Sequence, residues 1–145
     1  MENNLLTVIV PCYFEEEVLP ETIKQLTNIM NELVADKQIA ENSKLLFVDD
    51  GSSDKTWEII SQYEETNKYV TGLKFSRNFG HQNAVLAGMT VACPYSDMMI
   101  SIDADLQDDV NAIKEMVAKY HEGYDVVYGV RTIVTQIQSL NVERH

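Results

Sequence analysis

Two aspartates separated by one small residue, Asp103 and Asp105, directly follow the apolar run Met98–Ile102. A short apolar run that stops at charged residues is typical of a buried strand. In open α/β sheets the carboxyl end of a strand is where ligands bind. Two adjacent carboxylates repel each other unless a cation lies between them, and their oxygens suit Mg²⁺ or Mn²⁺ with phosphate oxygens as further ligands. The segment predicts either a metal–diphosphate site or an acidic loop that caps the next helix.

Three other predicted strands also end in residues that carry chemistry. The first is followed by Tyr13 and Glu15, the second ends in Asp49 and Asp50, and the third is followed by residues 76–81. Any one of these loops alone would be explained by a turn or a helix cap as well as by a functional site. Because the carboxyl ends of parallel strands meet at one edge of a sheet, the four loops together predict a shared site.

The loop after the third predicted strand contains two basic side chains and a glycine. Arg77 either binds phosphate or pairs with the surplus acid, and His81 either begins the next helix or takes part in catalysis. Gly80 permits close approach of a ligand to the backbone. Arg131 follows the fifth predicted strand at the same edge, which makes it the better placed arginine for a phosphate contact.

The apolar pattern predicts strands that alternate with helices. The predicted strands are Leu5–Val10, Lys44–Val48, Val70–Phe75, Met98–Ile102 and Asp125–Tyr128. Such alternation predicts an α/β, Rossmann-like fold with a mostly parallel sheet and helices on both faces. The small residues Ala84, Ala87 and Gly88 predict a helix packed closely on that sheet. We expect one domain over residues 1–131, truncated after the fifth strand, and an unassigned tail over residues 132–145.

Composition narrows the class of partner. The 145 residues carry a net charge of −12, which excludes a nucleic-acid surface. An acidic protein that binds a nucleotide diphosphate needs a cation between them. Cys12 and Cys93 lack metal-ligand spacing, so we expect two buried free thiols and a cytoplasmic location. No signal peptide is visible, and no apolar run reaches the roughly 18–20 residues of a transmembrane helix.

Several phosphate-binding classes do not fit the sequence. There is no Gly-x-x-x-x-Gly-Lys-Ser/Thr and no Gly-x-Gly-x-x-Gly after the first strand, which disfavours P-loop hydrolases and dinucleotide dehydrogenases. A nucleotidyltransferase normally has a glycine-rich, basic first loop, whereas residues 11–15 read Pro-Cys-Tyr-Phe-Glu. An aspartyl phosphatase places its Asp-x-Asp after the first strand, and here it follows the fourth.

Five segments in order resemble the family 2 glycosyltransferases of the GT-A fold. They are VIVPCYFEE (8–16), FVDDGSSD (47–54), SRNFGHQ (76–82), DADLQD (103–108) and VYGVR (127–131). Within the family they are similar to the polyprenyl-phosphate glycosyltransferases, such as dolichol-phosphate mannose synthase and bactoprenol glucosyltransferases. The resemblance implies transfer of a hexose from a UDP-glucose- or GDP-mannose-type donor to a polyprenyl phosphate at the membrane. It also implies Mg²⁺ or Mn²⁺ at the departing diphosphate.

The resemblance implies roles for the matching positions. The implied nucleotide-binding residues are Pro11, Tyr13, Glu15, Val48, Asp49, Asp50, Asp103, Ala104 and Arg131. Of these, Val48, Asp49 and Asp50 resemble the residues that contact the base and ribose. The implied catalytic residues are Asp103 and Asp105. The implied metal ligands are these two aspartates and Gln107, with Asp105 the stronger ligand. Arg131 resembles the arginine with which the family contacts phosphate.

Members of the family continue well beyond the position of Arg131. We therefore expect the donor-binding half of an enzyme that works at the cytoplasmic face of the membrane. Surface normally covered by the other half is expected to be apolar and to favour homo-oligomers. A catalytically inactive module that binds a nucleotide sugar or a partner stays open as an alternative.

Overall fold

The computed structural model of the chain describes residues 4–106, 110–126 and 143–144. The strands are β1 (Leu6–Cys12), β2 (Lys44–Asp49), β3 (Val70–Lys74), β4 (Met98–Ser101), β5 (Tyr124–Val126) and β6 (Glu143–Arg144). The helices are α1 (Leu19–Ala35), α2 (Thr56–Thr66), α3 (His81–Ala92) and α4 (Asn111–His121), with a 3-10 helix at Cys93–Tyr95. The predicted alternation of strands and helices is confirmed.

Four strands form one parallel sheet in the order β3-β2-β1-β4. The register pairs Cys12 with Asp49 and Asp49 with Lys74, so the carboxyl ends of the first three strands are level. The predicted α/β class with a mostly parallel sheet is confirmed. The fifth strand differs from the prediction. Within the described residues β5 pairs antiparallel with β6 in a separate two-stranded sheet, which supplies its backbone hydrogen-bond partners.

Side-chain alternation along the strands gives the sheet two apolar faces. On one face Leu6, Val8 and Val10 of β1 pack in the main core, to which α1, α2 and α4 contribute buried side chains. On the other face Ile9 packs in a smaller cluster with side chains of α3 such as Ala84. Helices on both faces are therefore confirmed. The main core, with α1, α2 and α4, therefore packs under the sheet whose strand ends carry the loops after β1, β2 and β4.

The packing of α3 on the sheet depends on small side chains. A Cβ atom on Gly88 would lie 2.7 Å from Ile9 Cγ2 and 3.1 Å from Val48 Cγ2, so only glycine permits this approach. Ala84 is fully buried at the same interface. The predicted close contact is confirmed, and it brings the start of α3 to the edge of the sheet.

The two cysteines differ in their surroundings. Cys12 is buried at the end of β1, as expected, whereas Cys93 is exposed. The expectation for Cys93 is wrong because it begins the 3-10 helix that follows α3, none of whose residues is buried. Across the part of the chain that the structure describes, no helix is both long enough and apolar enough to cross a membrane.

Candidate functional site

A cleft of about 490 Å³ opens at the carboxyl edge of the parallel sheet. It is bounded by the loops that follow β1 and β4, the end of β2 and the segment that leads into α3. Its lining residues are Pro11, Cys12, Tyr13, Glu15, Asp50, Asn78, Gly80, His81, Asp103, Ala104 and Asp105. The predicted convergence of four strand ends is therefore present in the structure.

The loop after β1 is fixed by hydroxyl groups from the loop after β2. The backbone N–H of Phe14 donates to Ser52 Oγ at 2.9 Å, and that of Glu15 donates to Thr56 Oγ1 at 3.0 Å. Thr56 is itself held, because its N–H and its hydroxyl both donate to Asp54 Oδ1. Asp54 thus orients Thr56 from outside α2, whose N-cap position is occupied by Lys55 without a side-chain cap hydrogen bond. Two loops that lie about 40 residues apart in sequence act as one rigid wall of the cleft.

Asp50 connects the end of β2 to the segment before α3. Its side chain is only 3% exposed. Oδ1 accepts the N–H of Phe79 at 2.7 Å, and Oδ2 accepts the N–H of Gly80 and the amide of Asn78, each at 3.1 Å. Hydrogen bonds to an ionised carboxylate are stronger than hydrogen bonds between neutral groups. The sequence assigns Asp50 to the base or ribose, and the structure adds that its carboxylate already holds the far wall of the cleft in place.

Gly51 allows these two segments to approach. Its φ is +78°, in the region that favours glycine, and a Cβ atom there would lie 2.2 Å from the carbonyl carbon of Arg77. No real Cβ contact is that short. The glycine in this turn is therefore required both by its own backbone conformation and by the neighbouring backbone.

The residues before Asp50 in β2 do not line the cleft. Val48 is buried in the smaller cluster under α3. Asp49 is fully buried, with Oδ1 accepting the N–H of Ser52 at 3.1 Å. Among the described residues Asp49 Oδ2 has no hydrogen-bond partner. The base and ribose contacts assigned to Val48 and Asp49 stay predictions.

The Asp-x-Asp loop is anchored by its middle residue. Ala104 is buried, and its carbonyl accepts the hydroxyl of Thr22 on α1 at 2.5 Å. The N–H of Leu106 closes the turn on the carbonyl of Asp103 at 3.1 Å. With the backbone held from below, both aspartate side chains lie at the cleft. Across the cleft His81 Nε2 lies 3.8 Å from Asp103 Oδ1.

Acidic groups dominate the electrostatics of the cleft. Burial raises the pKa of Glu15, and the negative charges of Asp105 and Asp103 raise that pKa further. Burial also raises the pKa of the Cys12 thiol, which fits a space-filling role better than a nucleophilic one. Among the described lining residues there is no Lys or Arg, and His81 is the sole one with a basic side chain.

Arg77 packs beside the cleft, so the phosphate contact that the sequence left open for it stays a prediction. Its guanidinium carbon lies 4.1 Å from the centre of the Phe79 ring, and the side chain does not line the cleft. Arg131 and Gln107 lie outside the described residues. Their predicted contacts with phosphate and metal stay predictions.

The carboxylates fit a divalent cation that shares its coordination with a ligand. Within the described ranges no group of three or more His, Cys, Asp or Glu side chains could hold a metal by itself. Mg²⁺ is usually bound by one or two carboxylates together with substrate phosphates and water rather than by a complete protein cage. Asp103 and Asp105 supply two carboxylates with hard oxygen ligands at one cleft. They lie close enough to Glu15 for their charges to raise its pKa.

Several supporting residues have no signal in the sequence. The hydroxyls of Ser52 and Thr56 lie in a turn where such residues are common, so only the structure shows that they hold the loop after β1. Thr22 lies 82 positions from its partner Ala104 and belongs to an ordinary amphipathic helix. Asn78 belongs to a segment that the sequence singled out, without a role for that residue.

Relatives with known names match most of this chain. The profile of "Glycosyl transferase family 2" matches residues 7–144. The uncharacterized glycosyltransferase YkoT of Bacillus subtilis (strain 168) is 56% identical over 127 residues, which are 88% of this chain and 38% of YkoT. The undecaprenyl-phosphate 4-deoxy-4-formamido-L-arabinose transferase of Enterobacter sp. (strain 638) is 37% identical over 127 residues, 87% of this chain and 36% of that protein. The chain thus spans little more than a third of the length of these relatives.

Solved structures share the fold. S. aureus TarS 1-349 in complex with UDP-GlcNAc superposes with a TM-score of 0.62 at 23% identity, covering 88% of this chain and 36% of that one. The complex of the same protein with UDP gives a TM-score of 0.62 and covers 37% of that chain. This similarity supports the GT-A architecture and says nothing by itself about the reaction. Because the family profile extends over nearly the whole length, the chain belongs to glycosyl transferase family 2.

Proposed function

We propose that this chain binds the nucleotide diphosphate sugar for a glycosyltransferase that moves a hexose to a polyprenyl phosphate. The observation that carries the proposal is the acidic cleft, where Asp103 and Asp105 lie opposite His81 and no described Lys or Arg is present. The names of two related proteins supply the substrate classes. One relative is named an undecaprenyl-phosphate transferase, and TarS has been solved with UDP and with UDP-GlcNAc.

The cleft suits a nucleotide diphosphate in three respects. Tyr13 presents a ring that is 46% exposed at the mouth, as a surface for a flat base. The volume of about 490 Å³ falls in the range of small-molecule sites. The walls are held by part-buried hydrogen bonds of Asp50 and a buried one of Thr22, so the ligand meets a preformed site.

Asp103 and Asp105 would hold Mg²⁺ or Mn²⁺ together with the diphosphate. A bound cation supplies Lewis-acid stabilisation of the charge on the departing diphosphate. Without a cation, a diphosphate would face the negative charges of Glu15, Asp103 and Asp105 at short range. The acceptor phosphate is already anionic, so the protein contributes mainly by holding donor and acceptor in line.

Calorimetric titration of UDP and GDP into the chain, with Mn²⁺ and with chelator, tests the donor site. We expect Mn²⁺-dependent binding of one nucleotide and a loss of about tenfold or more in Asp105→Ala, which corresponds to roughly 1.4 kcal/mol. Asp36→Ala is the matched control, because Asp36 is an exposed aspartate beyond the end of α1 and away from the cleft. Binding that is equal in chelator, or equal in Asp105→Ala, contradicts the proposal.

A second candidate function is binding of a nucleotide sugar without transfer. It requires only the donor cleft, whose walls are held by the hydrogen bonds of Asp50 and Thr22. Incubation of the chain with a labelled nucleotide sugar, Mn²⁺ and a short polyprenyl phosphate separates the two. A labelled lipid product supports transfer, and nucleotide binding without product supports the binding module.

A further inference from the structure

Phe14 adopts a backbone conformation that is unfavourable for its residue type. Three described non-glycine residues have positive φ, namely Phe14 (54°), Lys37 (59°) and Leu106 (52°). Lys37 follows the end of α1, where the left-handed conformation is common. The other two lie in the loops that carry the site, and for a bulky aromatic residue such a φ is a genuine outlier. Strained backbone of this kind collects at functional sites.

The Phe14 side chain gains little from burial in return. Its ring is 48% exposed and belongs to neither apolar cluster of the sheet. Its described ring contact is with Tyr13, at 4.5 Å between ring centres and 69° between planes, which is the edge-to-face arrangement. Tyr13 is the member of the pair that lines the cleft. The ring of Phe14 therefore contacts a ring that lines the cleft without lining the cleft itself.

The backbone around this pair is held from outside the loop. The N–H of Phe14 donates to Ser52 Oγ at 2.9 Å, and the next N–H donates to Thr56 Oγ1 at 3.0 Å. The hydrogen bonds place the Phe14 backbone on the β2–α2 loop, and the ring is then directed back onto Tyr13. The left-handed backbone of Phe14 is thus held by a hydrogen bond to another loop, while its ring contacts Tyr13.

We propose that Phe14 is a positioning residue that holds the Tyr13 ring in the orientation needed to stack on the base of the nucleotide. This inference rests on the proposed donor-binding function and deepens it. Phe14 does not touch the nucleotide. Its contact restricts the rotation of the Tyr13 ring before the nucleotide binds, so less rotational freedom is lost on binding. Phe14 therefore contributes to the affinity for the base and not to the affinity for the cation.

Replacement by asparagine separates the strain of Phe14 from its contact. Asparagine accepts the left-handed conformation with little penalty and carries no ring. Phe14→Asn is therefore expected to raise Tm by about 2–5 °C and to weaken nucleotide binding by about 2- to 10-fold, the range of one aromatic pair. Phe14→Tyr keeps the ring and is expected to keep wild-type affinity. Tyr95→Ala removes a ring that is 74% exposed elsewhere and serves as the control.

A double variant tests whether the effect passes through Tyr13. In a Tyr13→Ala background, Phe14→Asn should cause no further loss of affinity in calorimetric titration with Mn²⁺ and whichever of UDP and GDP the wild type binds. An unchanged affinity in Phe14→Asn, or the same loss with and without Tyr13, overturns the inference. If the wild-type chain binds neither nucleotide, the proposed function fails first and the inference falls with it. If it binds and Phe14→Asn binds equally, only the inference fails.

Discussion

Replacing Gly51 by alanine is expected to destabilise the fold and to weaken the site together. The new Cβ would lie 2.2 Å from the carbonyl carbon of Arg77 and 2.4 Å from the nitrogen of Asn78, both backbone atoms that belong to the segment held by Asp50. The positive φ of +78° costs an L-residue roughly 1–2 kcal/mol. Forcing the two backbones apart adds about 1–3 kcal/mol. We expect a loss of about 2–5 kcal/mol in the free energy of unfolding, a large part of what a domain of this size has.

Gly123→Ala provides the matched control. Gly123 has a φ of +102°, and a Cβ atom there meets no atom of the described residues within 4 Å, so this variant bears the conformational cost without the clash. Urea unfolding of the wild type and both variants measures the two costs separately. Titration with Mn²⁺ and the nucleotide that the wild type binds measures the site. Gly51→Ala should bind more weakly, because displacing Arg77 pulls Phe79 and Gly80 away from Asp50, whereas Gly123→Ala should bind as wild type does.

The comparison has an outcome that refutes the reasoning. If Gly51→Ala is no less stable than Gly123→Ala, the backbone of Arg77 moves aside at no cost, and the segment before α3 is not held as the structure describes it. If stability falls but affinity is unchanged, the hydrogen bonds of Asp50 support the fold without shaping the cleft.

Two further predictions concern the acidic side of the cleft. Thr22→Val keeps the side-chain volume but leaves the buried carbonyl of Ala104 without its donor, so it should cost about 1–3 kcal/mol in urea unfolding and weaken the Mn²⁺ dependence of binding. An unchanged midpoint and an unchanged metal dependence contradict it. Burial and the charges of Asp105 and Asp103 raise the pKa of Glu15, so the ionised carboxylate lowers the free energy of unfolding. This loss of stability is relieved as the pH falls through the raised pKa of the folded state, because Glu15 is then protonated. In chelator Glu15→Gln should therefore be more stable than wild type at neutral pH, with a gain that shrinks towards about pH 4; a gain that is flat across this range contradicts it.

The sequence was sufficient for the layers of the fold. The apolar run of the first strand, predicted as Leu5–Val10, and the small residues around Gly88 follow from which side chains can pack on a sheet, and both are as expected. Parallel connections then bring the strand ends to one edge, so the general position of the site follows from topology. The pairing of β5 with β6 could not be predicted, because the two strands lie far apart in sequence and neither has a strong apolar pattern.

The details of the site required the structure. Asp49 and Asp50 are identical neighbours, and no property of the sequence says that one is buried beneath the loop while the other receives the N–H groups of Phe79 and Gly80. The strain at Phe14 is likewise invisible, since its φ depends on where Ser52 places its hydroxyl. These features arise from contacts between distant segments, whereas sequence patterns report local preferences.

The long-range hydrogen bonds of the cleft also have a consequence for biosynthesis. Each of these segments forms its hydrogen bonds only with residues synthesised later. The loop after β1 needs Ser52 and Thr56, the end of β2 needs Phe79 and Gly80, and Thr22 needs Ala104. Contacts of such sequence separation form late in folding, after the entropy of closing long loops has been overcome. A nascent chain whose residue 105 has not yet emerged from the ribosome therefore cannot assemble the complete cleft.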